Sequence, residues 1–173
     1  RNFRLQKVGN VKWLKNNFGF GETCDFIDEL VIINVTPNPS ESDFNNFFKD
    51  INELREKIFL PITIGGGIRT IEHVRKCFEN GADKILINFL AHKDQSVCEQ
   101  IAKIFGEQAI SIMVDYKKDE NNLSSYINSG KVFSKTLKEF INSMENLKFG
   151  ELILNSIDQD GTAAGLDLDC LNL

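Results

Sequence analysis

The chain has 173 residues, of which 42% are hydrophobic and 26% are charged, and its net charge is −5. This composition predicts one packed domain over residues 1–173 and argues against an intrinsically disordered chain. The acidic balance argues against a nucleic-acid partner held by a basic surface, and no apolar run approaches the roughly 18 residues of a membrane-spanning helix. We therefore expect a cytoplasmic protein with no nucleic-acid partner and no membrane contact.

Apolar runs alternate between strand and helix patterns along the chain. Runs rich in β-branched residues predict strands over residues 29–36, 61–65, 84–88, 109–115 and 151–155. Four stretches with helical spacing of apolar residues lie between these strands. Ser42, Thr70 and Asp94 are the predicted N-caps of the first three helices, and Gly81 and Gly106 end two of them.

The polar stretch 119–133, with a turn at residues 128–130, predicts a hairpin inserted before the fourth helix. Near-continuous apolar strands in a strict βα order indicate a parallel sheet covered on both faces, which a doubly wound sheet and a (β/α)8 barrel both satisfy. Polar and glycine-rich loops after the strands favour the barrel. Because a complete TIM barrel needs roughly 250 residues, we expect an incomplete barrel, truncated at both ends.

Three predicted strands open with a charged residue, namely Glu29, Lys84 and Glu151. Strand alternation places each of them on the same face as the second and fourth residues that follow it. If these faces point inward, the charges form a ring at the N-terminal mouth of the barrel. Ordinary surface charge at the strand starts is the alternative.

The cysteines and histidines carry little functional signal. The four cysteines form no CxxC pair, which predicts reduced and mostly buried thiols. The two histidines, His73 and His92, fall at or near helix starts, where we expect them to lie on the surface. Neither has the spacing of a catalytic triad.

Two loops after strands carry residues suited to chemistry. Gly65-Gly-Gly-Ile-Arg69 precedes a helix N-terminus, where backbone N–H groups favour an anion such as phosphate; a tight structural turn is the alternative. Asp115 follows a buried apolar run and is a candidate general acid or base; a capping carboxylate is the alternative.

A third loop contains Asp158-Gln-Asp160-Gly-Thr162. It is similar to the nucleophile loop of haloacid-dehalogenase-type phosphatases, which would need magnesium and Asp158 as the nucleophile. Because Asn155-Ser-Ile separates Asp158 from the strand, the spacing argues against that reaction. We expect no metal site and no cofactor.

With these loops in order, the chain resembles the cyclase subunit family of imidazole glycerol phosphate synthase. The resemblance runs from about residue 28 to residue 167 and rests on residues 61–69, 81–88, 114–115 and 150–162. It implies a (β/α)8 barrel that accepts ammonia from a glutaminase (glutamine amidotransferase) partner. It also implies a phosphorylated ribulosyl aminoimidazole carboxamide as the substrate, which is an anionic small molecule.

The resemblance implies roles for individual residues. Asp115 matches the catalytic aspartate. The substrate- and phosphate-binding positions are Gly66, Gly67, Asn88, Asn155, Asp160 and Gly161. Glu29, Lys84 and Glu151 match the charged gate through which ammonia enters, and Asp83 matches a residue that faces the glutaminase.

Departures from the family pattern point to a paralogous branch. The family's first strand, with its partner catalytic aspartate, and its last two strands have no counterpart in this chain. Asn34 replaces the usual aspartate, and Asn155 replaces a threonine of the histidine enzymes. With the opening segment 1–10, these residues favour the branch that serves acetamidino modification of surface-polysaccharide sugars.

Three functions stay open on the sequence. The favoured one is a cyclase-like barrel of the acetamidino branch, and the alternative is a true cyclase subunit of histidine biosynthesis. A non-catalytic barrel that only relays ammonia would keep the gate charges but tolerate loss of Asp115.

Overall fold

The computed structural model describes residues 9–17, 26–119, 122–163, 165–168 and 170. These residues fall into two compact units that divide between Leu86 and Ile87. Each unit is described by itself below, and the sequence prediction of one domain stays a prediction. None of the described helices is long and apolar enough to cross a membrane.

The N-terminal unit alternates helices with parallel strands. Its elements are α1 (Val11–Asn17), β1 (Leu30–Ile33), α2 (Glu41–Arg55), β2 (Ile62–Gly65), α3 (Ile71–Glu79) and β3 (Lys84–Ile87), the last of which ends at the division. β1 pairs with β2 and β2 with β3, both in parallel. The three strands confirm the predicted βα order, whereas α1 was not predicted.

Local hydrogen bonds explain where the helices of this unit begin and end. Ser40 is the N-cap of α2, because its Oγ accepts from the backbone N–H of Asp43, so the prediction of Ser42 is wrong. Thr70 caps α3 as predicted, and its Oγ1 accepts from the His73 N–H at 3.2 Å. After α3, the backbone turns at Gly81 with φ of +88°, which a side chain would strain.

The core of the N-terminal unit consists of apolar side chains that are at most 4% exposed. They include Phe44, Phe48, Ile51, Ile62, Ile64, Val74, Cys77 and Ile85. The other face of the strands carries Thr63 opposite Lys84 in the parallel register. Glu29 precedes β1 by one residue and shares that face by alternation.

The C-terminal unit combines a parallel strand pair with an antiparallel hairpin. Its elements are α4 (Phe89–Lys93), α5 (Gln95–Phe105), β4 (Ile110–Lys118), β5 (Leu123–Ile127), β6 (Val132–Thr136), α6 (Leu137–Ser143) and β7 (Glu151–Ser156). β4 pairs with β7 in parallel and with β5 antiparallel, and β5 pairs with β6 antiparallel. The predicted hairpin is therefore confirmed. The short helix α4 was not predicted.

The two faces of β4 differ in composition. Ile110, Ile112 and Val114 are fully buried and form the core face. On the other face, Ser111, Met113 and Asp115 lie opposite Glu151, Ile153 and Asn155 of β7. This face of β4 and β7 therefore carries polar residues at both ends and apolar residues between them.

The histidines are more covered than the sequence predicts. The His73 side chain is 17% exposed and its ring centroid lies 4.5 Å from that of Phe44. The His92 ring stacks on Phe140 at 3.8 Å, and its Nδ1 lies 3.0 Å from the Ser134 Oγ. The prediction that both histidines lie on the surface is therefore wrong.

The cysteine prediction is confirmed for the three thiols that the structure describes. Cys77, Cys98 and Cys170 are buried and free, and Cys24 lies outside the described residues. Burial raises the pKa of Cys77 to about 12 and that of Cys98 to about 11. Such thiols are poor nucleophiles, since the thiolate is the reactive form.

Candidate functional site

The C-terminal unit brings Asp115 together with two asparagines. Asp115 lies on β4 opposite Asn155 of β7, and the Asn155 Nδ2 donates to Asp115 Oδ1 at 2.8 Å. Asn88, the residue after β3, donates from its Nδ2 to Asp115 Oδ2 at 3.1 Å. Each carboxylate oxygen of Asp115 thus accepts one amide hydrogen bond, which fixes the plane of the group.

Burial raises the pKa of the Asp115 carboxyl above its usual value. The hydrogen bond from Asn155 opposes this rise, and the negative charge of Asp160 adds to it. A carboxyl whose pKa is raised holds its proton at a higher pH and is better placed to exchange it with a ligand near neutrality. This environment suits an acid or base better than a capping group.

The sequence predicted that the strand ends at Asp115, but it continues beyond that residue. β4 continues to Lys118, because residues 115–118 pair with residues 123–126 of the inserted hairpin. The carboxylate therefore projects from a strand that is hydrogen-bonded on both sides, to β5 and to β7. Such a support restricts the motion of the carboxylate.

The loop after β7 holds its first carboxylate in place and exposes its second. Asp158 Oδ2 accepts from the backbone N–H of Lys118 at 3.1 Å. This bond gives Asp158 a structural role and argues against its use as a nucleophile. Asp160 and Gly161 are exposed, and Gly161 turns at φ of +67° with open space around it.

The glycines after β2 are required by packing. Gly66 and Gly67 have φ of +89° and +73°. A Cβ on Gly66 would lie 2.0 Å from the Asn34 carbonyl oxygen, and one on Gly67 would lie 2.4 Å from Pro39 Cγ. A tight structural turn explains both residues without a ligand, and their role in anion binding stays a prediction.

Asn34 lies beside this turn and is 7% exposed. Its Oδ1 accepts from the backbone N–H of Thr36 at 3.0 Å. Its buried Nδ2 has no hydrogen-bond partner among the described residues. A buried donor without a partner is costly, and a ligand oxygen is one group that would satisfy it.

Charged residues at the strand starts make specific contacts within each unit. In the N-terminal unit, Lys84 Nζ lies 2.8 Å from Glu29 Oε2, and the Thr63 hydroxyl donates to Glu29 Oε1. In the C-terminal unit, the Ser111 Oγ donates to Glu151 Oε1 at 2.6 Å. The ion pair is half-buried, so Glu29 and Lys84 are not ordinary surface charges.

Thr63 and Ser111 were missed in the sequence. Each hydroxyl lies near the start of a strand and faces a predicted gate carboxylate. The sequence does contain a pattern that could have identified them, because both are polar residues within otherwise apolar strands. A buried hydroxyl in such a strand indicates a partner on the same face of the sheet.

Asp83 forms hydrogen bonds with the first residue of β2. Its Oδ2 accepts from the backbone N–H of Ile62 at 2.8 Å, and its own N–H donates to the Ile62 carbonyl. The residue is exposed and borders a groove lined by Arg55, Ile58, Phe59, Leu60 and Pro61. Its contact with a partner protein stays a prediction.

The sequence matches a described protein family over most of its length. Residues 24–173 match the family described as histidine biosynthesis protein. The chain belongs to this family. The family's fold is the (β/α)8 barrel, and the parallel strands and alternating helices of this chain have the α/β character of that barrel, as predicted.

Several curated relatives are similar to this chain. One from Parasynechococcus marenigrum, provisionally named imidazole glycerol phosphate synthase subunit hisF2, is 38% identical over 99% of this chain. Imidazole glycerol phosphate synthase subunit HisF from Dictyoglomus thermophilum is 37% identical over 96% of this chain. A relative from Vibrio vulnificus, also provisionally named subunit hisF2, is 32% identical over 95% of this chain. The chain spans 64%, 65% and 58% of these relatives' lengths, respectively, less than two thirds in each case.

Proposed function

We propose that this chain acts in a cyclase-type barrel subunit that receives ammonia from a glutaminase and adds it to an anionic, phosphorylated small molecule. One observation carries the proposal: the Asp115 carboxylate is held by two amides at the carboxyl ends of parallel strands. Relatives named as subunits of imidazole glycerol phosphate synthase agree with this chemistry. Asp115 is the proposed catalytic residue.

The chemistry needs a group that moves protons. Ammonia loses protons when it forms a carbon–nitrogen bond, and ring closure requires further proton transfers. A carboxyl whose pKa is raised can accept and return these protons. The exposed backbone at Gly161 is the proposed contact for a ligand oxygen.

One face of the C-terminal unit supports passage of ammonia. Ser111 and Glu151 lie at its amino end and Asp115 and Asn155 at its carboxyl end, four residues along each strand, or roughly 13 Å. The side chains of Met113 and Ile153 lie between these polar ends. An apolar stretch favours neutral ammonia over ammonium, because burial of an unpaired charge is costly.

We infer that the chain serves the acetamidino branch of the family. The support is Asn155, which donates to Asp115 at the position where the resemblance implies a threonine in the histidine enzymes. Asn34 adds support, since it replaces, at a buried position, the aspartate that the resemblance implies. The substrate of this branch is a sugar derivative rather than the imidazole precursor.

The decisive experiment measures ammonia-dependent turnover in a full-length protein that contains this sequence. Free ammonium replaces glutamine, so that the measured turnover depends neither on binding of the glutaminase nor on its hydrolysis of glutamine. Asp115→Asn keeps the shape of the side chain and removes its proton-exchanging group, and we expect turnover to fall by about 10²- to 10⁴-fold. Asp50→Asn, which removes the same charge from an exposed position on α2, should retain full turnover.

The same assay separates the alternatives. Full activity of the Asp115→Asn variant would contradict the catalytic role and favour a barrel that only relays ammonia. Conversion of the ribulosyl aminoimidazole carboxamide by the unaltered protein would assign it to histidine biosynthesis. Turnover of an acetamidino-sugar precursor alone would support the branch proposed above.

A further inference from the structure

The inserted hairpin extends the face of the C-terminal unit that carries Asp115. Tyr126 of β5 lies directly opposite Asp115 in the antiparallel register. Residues paired in this way project from the same face of a sheet, with Cβ atoms roughly 5 Å apart. Lys117 follows Asp115 by two residues on β4 and shares this face by strand alternation. Asp115 therefore lies between an aromatic side chain of the hairpin and the amide of Asn155 on β7.

A β-bulge brings a second aromatic ring to this face. Ser125 pairs with Lys135. In a regular antiparallel register the next residue, Tyr126, would then pair with Ser134. The register shifts instead, and Phe133 lies opposite Tyr126. Their ring centroids are 6.1 Å apart and their planes make an angle of 79°, which is the edge-to-face arrangement that aromatic pairs favour. We call Tyr126 and Phe133 the aromatic wall.

Contacts with α4 and α6 hold the bulge. Ser134 has no pair in the shifted register, and its Oγ lies 3.0 Å from the His92 Nδ1 of α4. The His92 ring in turn stacks on Phe140 of α6, with centroids 3.8 Å apart. β-bulges are frequent next to active sites, where they change the direction of a side chain. This bulge directs Phe133 onto the face that carries Asp115.

The aromatic wall is accessible and has a positive charge beside it. Phe133 is 56% exposed, although phenylalanine is among the more often buried residue types. Tyr126 is half-buried, and the Lys117 Nζ lies 4.7 Å from the centre of its ring, as in a cation–π contact. Small-molecule sites commonly combine aromatic side chains with a few polar groups. This surface offers that combination next to Asp115.

We propose that the aromatic wall contacts the ring of the anionic small molecule that binds at Asp115. The proposal deepens the cyclase-type function and rests on it for the identity of the site. The wall begins one strand from Asp115 and ends two strands away, or roughly 5 to 10 Å, which a sugar phosphate can bridge. The C–H face of a sugar and the plane of a heterocycle both pack on an aromatic ring. A ring that packs in this way is therefore the shared chemistry.

The test measures dissociation constants by calorimetry in a full-length protein that contains this sequence. Glucose 1-phosphate carries a sugar ring, imidazole glycerol phosphate carries a heterocycle, and glycerol 3-phosphate carries neither. At least one ring-bearing probe should bind the unaltered protein more tightly than glycerol 3-phosphate does. Phe133→Ala should weaken binding of that probe roughly 3- to 10-fold, and leave binding of glycerol 3-phosphate unchanged. The probe that responds shows whether the ring is a sugar or a heterocycle.

Two control variants separate the ring from the position. Phe133→Tyr keeps the aromatic ring and should bind the probe as the unaltered protein does. Phe59→Ala makes the same truncation at a 92% exposed position of the N-terminal unit and should change no dissociation constant. If Phe133→Ala does not fold, Phe133→Leu keeps an apolar side chain and must bind the ring-bearing probe more weakly than Phe133→Tyr does.

Equal affinity of Phe133→Ala and the unaltered protein for the ring-bearing probes would overturn the proposal. It would also be overturned if neither of these probes bound more tightly than glycerol 3-phosphate. The measurements involve neither ammonia nor turnover. Their failure is therefore distinct from a failure of the cyclase proposal, which the turnover of Asp115→Asn decides.

Discussion

Asp115 and His92 show how burial acts on opposite charges within the same unit. Burial disfavours the charged form of any side chain, so it raises the pKa of the Asp115 carboxyl and lowers that of the His92 imidazole to about 4. For Asp115 the result is a carboxyl that holds its proton to a higher pH than an exposed aspartate does. For His92 it is a neutral ring that stacks on Phe140 and makes stability depend on pH.

His92 should destabilise the fold in acid. In the unfolded chain a histidine takes up a proton near pH 6.5, whereas folded His92 resists protonation down to about pH 4, because burial and then the charges of Lys135 and Lys93 oppose it. Stability is therefore full above pH 6.5 and falls as the pH drops toward 4. His92→Gln should reduce this loss by on the order of 2–3 kcal/mol, measured as unfolding free energy in urea at pH 7 and pH 4.

The matched control is His73→Gln, which alters the other histidine and leaves His92 in place. This variant should still show the loss of stability that His92 causes between pH 7 and pH 4. An equal loss in His92→Gln would show that the burial of His92 does not govern the acid response.

At the scale of single residues, the sequence identified Asp115 as a candidate site residue but did not reveal its hydrogen-bond partners. Asp115 stood out because it follows a buried apolar run, yet its two amide partners come from positions 27 and 40 residues away. The Tyr116 hydroxyl donates to Asp167, which is 51 residues away, and no local pattern links the two. Such pairs depend on strand register, which a single sequence does not reveal.

At the scale of elements, strands were easier to predict than helix boundaries. β-branched runs located the five parallel strands, and the turn at residues 128–130 located the hairpin. α4 was missed because five residues are too few for a helical period to be recognised. Ser40 and Ser42 were hard to separate, because both are good N-cap residues and only Ser40 has an acidic residue three positions later.

The cap of α2 gives a direct test of this boundary. Ser40 accepts from the Asp43 N–H, and the Asp43 carboxylate accepts from the Ser40 N–H at 2.8 Å. Ser40→Ala should lower the free energy of unfolding by about 1 kcal/mol, measured in urea. Ser42→Ala, at the position that the sequence favoured, should change it by less than about 0.5 kcal/mol. The reverse order of the two effects would contradict the observed cap.

At the scale of the whole molecule, the proposed function depends on which residues lie at each end of the strands. The carboxyl ends carry Asp115 and its amides, whereas the amino ends carry carboxylates paired with a lysine or with hydroxyl groups. This division is the one expected of a barrel whose chemistry lies at the carboxyl ends. The chemistry at the carboxyl ends and the docking of an ammonia donor at the amino ends are both proposals, and the docking is tested next.

If the proposed glutaminase docks at Asp83, Asp83→Asn should weaken that docking without disturbing β2. The amide oxygen can still accept from the Ile62 N–H, so the strand keeps its hydrogen bond while the exposed charge is lost. In a full-length protein, we expect affinity for the glutaminase to fall about 2- to 5-fold at low salt, as for an exposed ion pair, and less at high salt. Asp50→Asn removes an equal charge from α2 and should leave the dissociation constant unchanged. Equal affinity of the two variants at low salt would place the docking surface elsewhere.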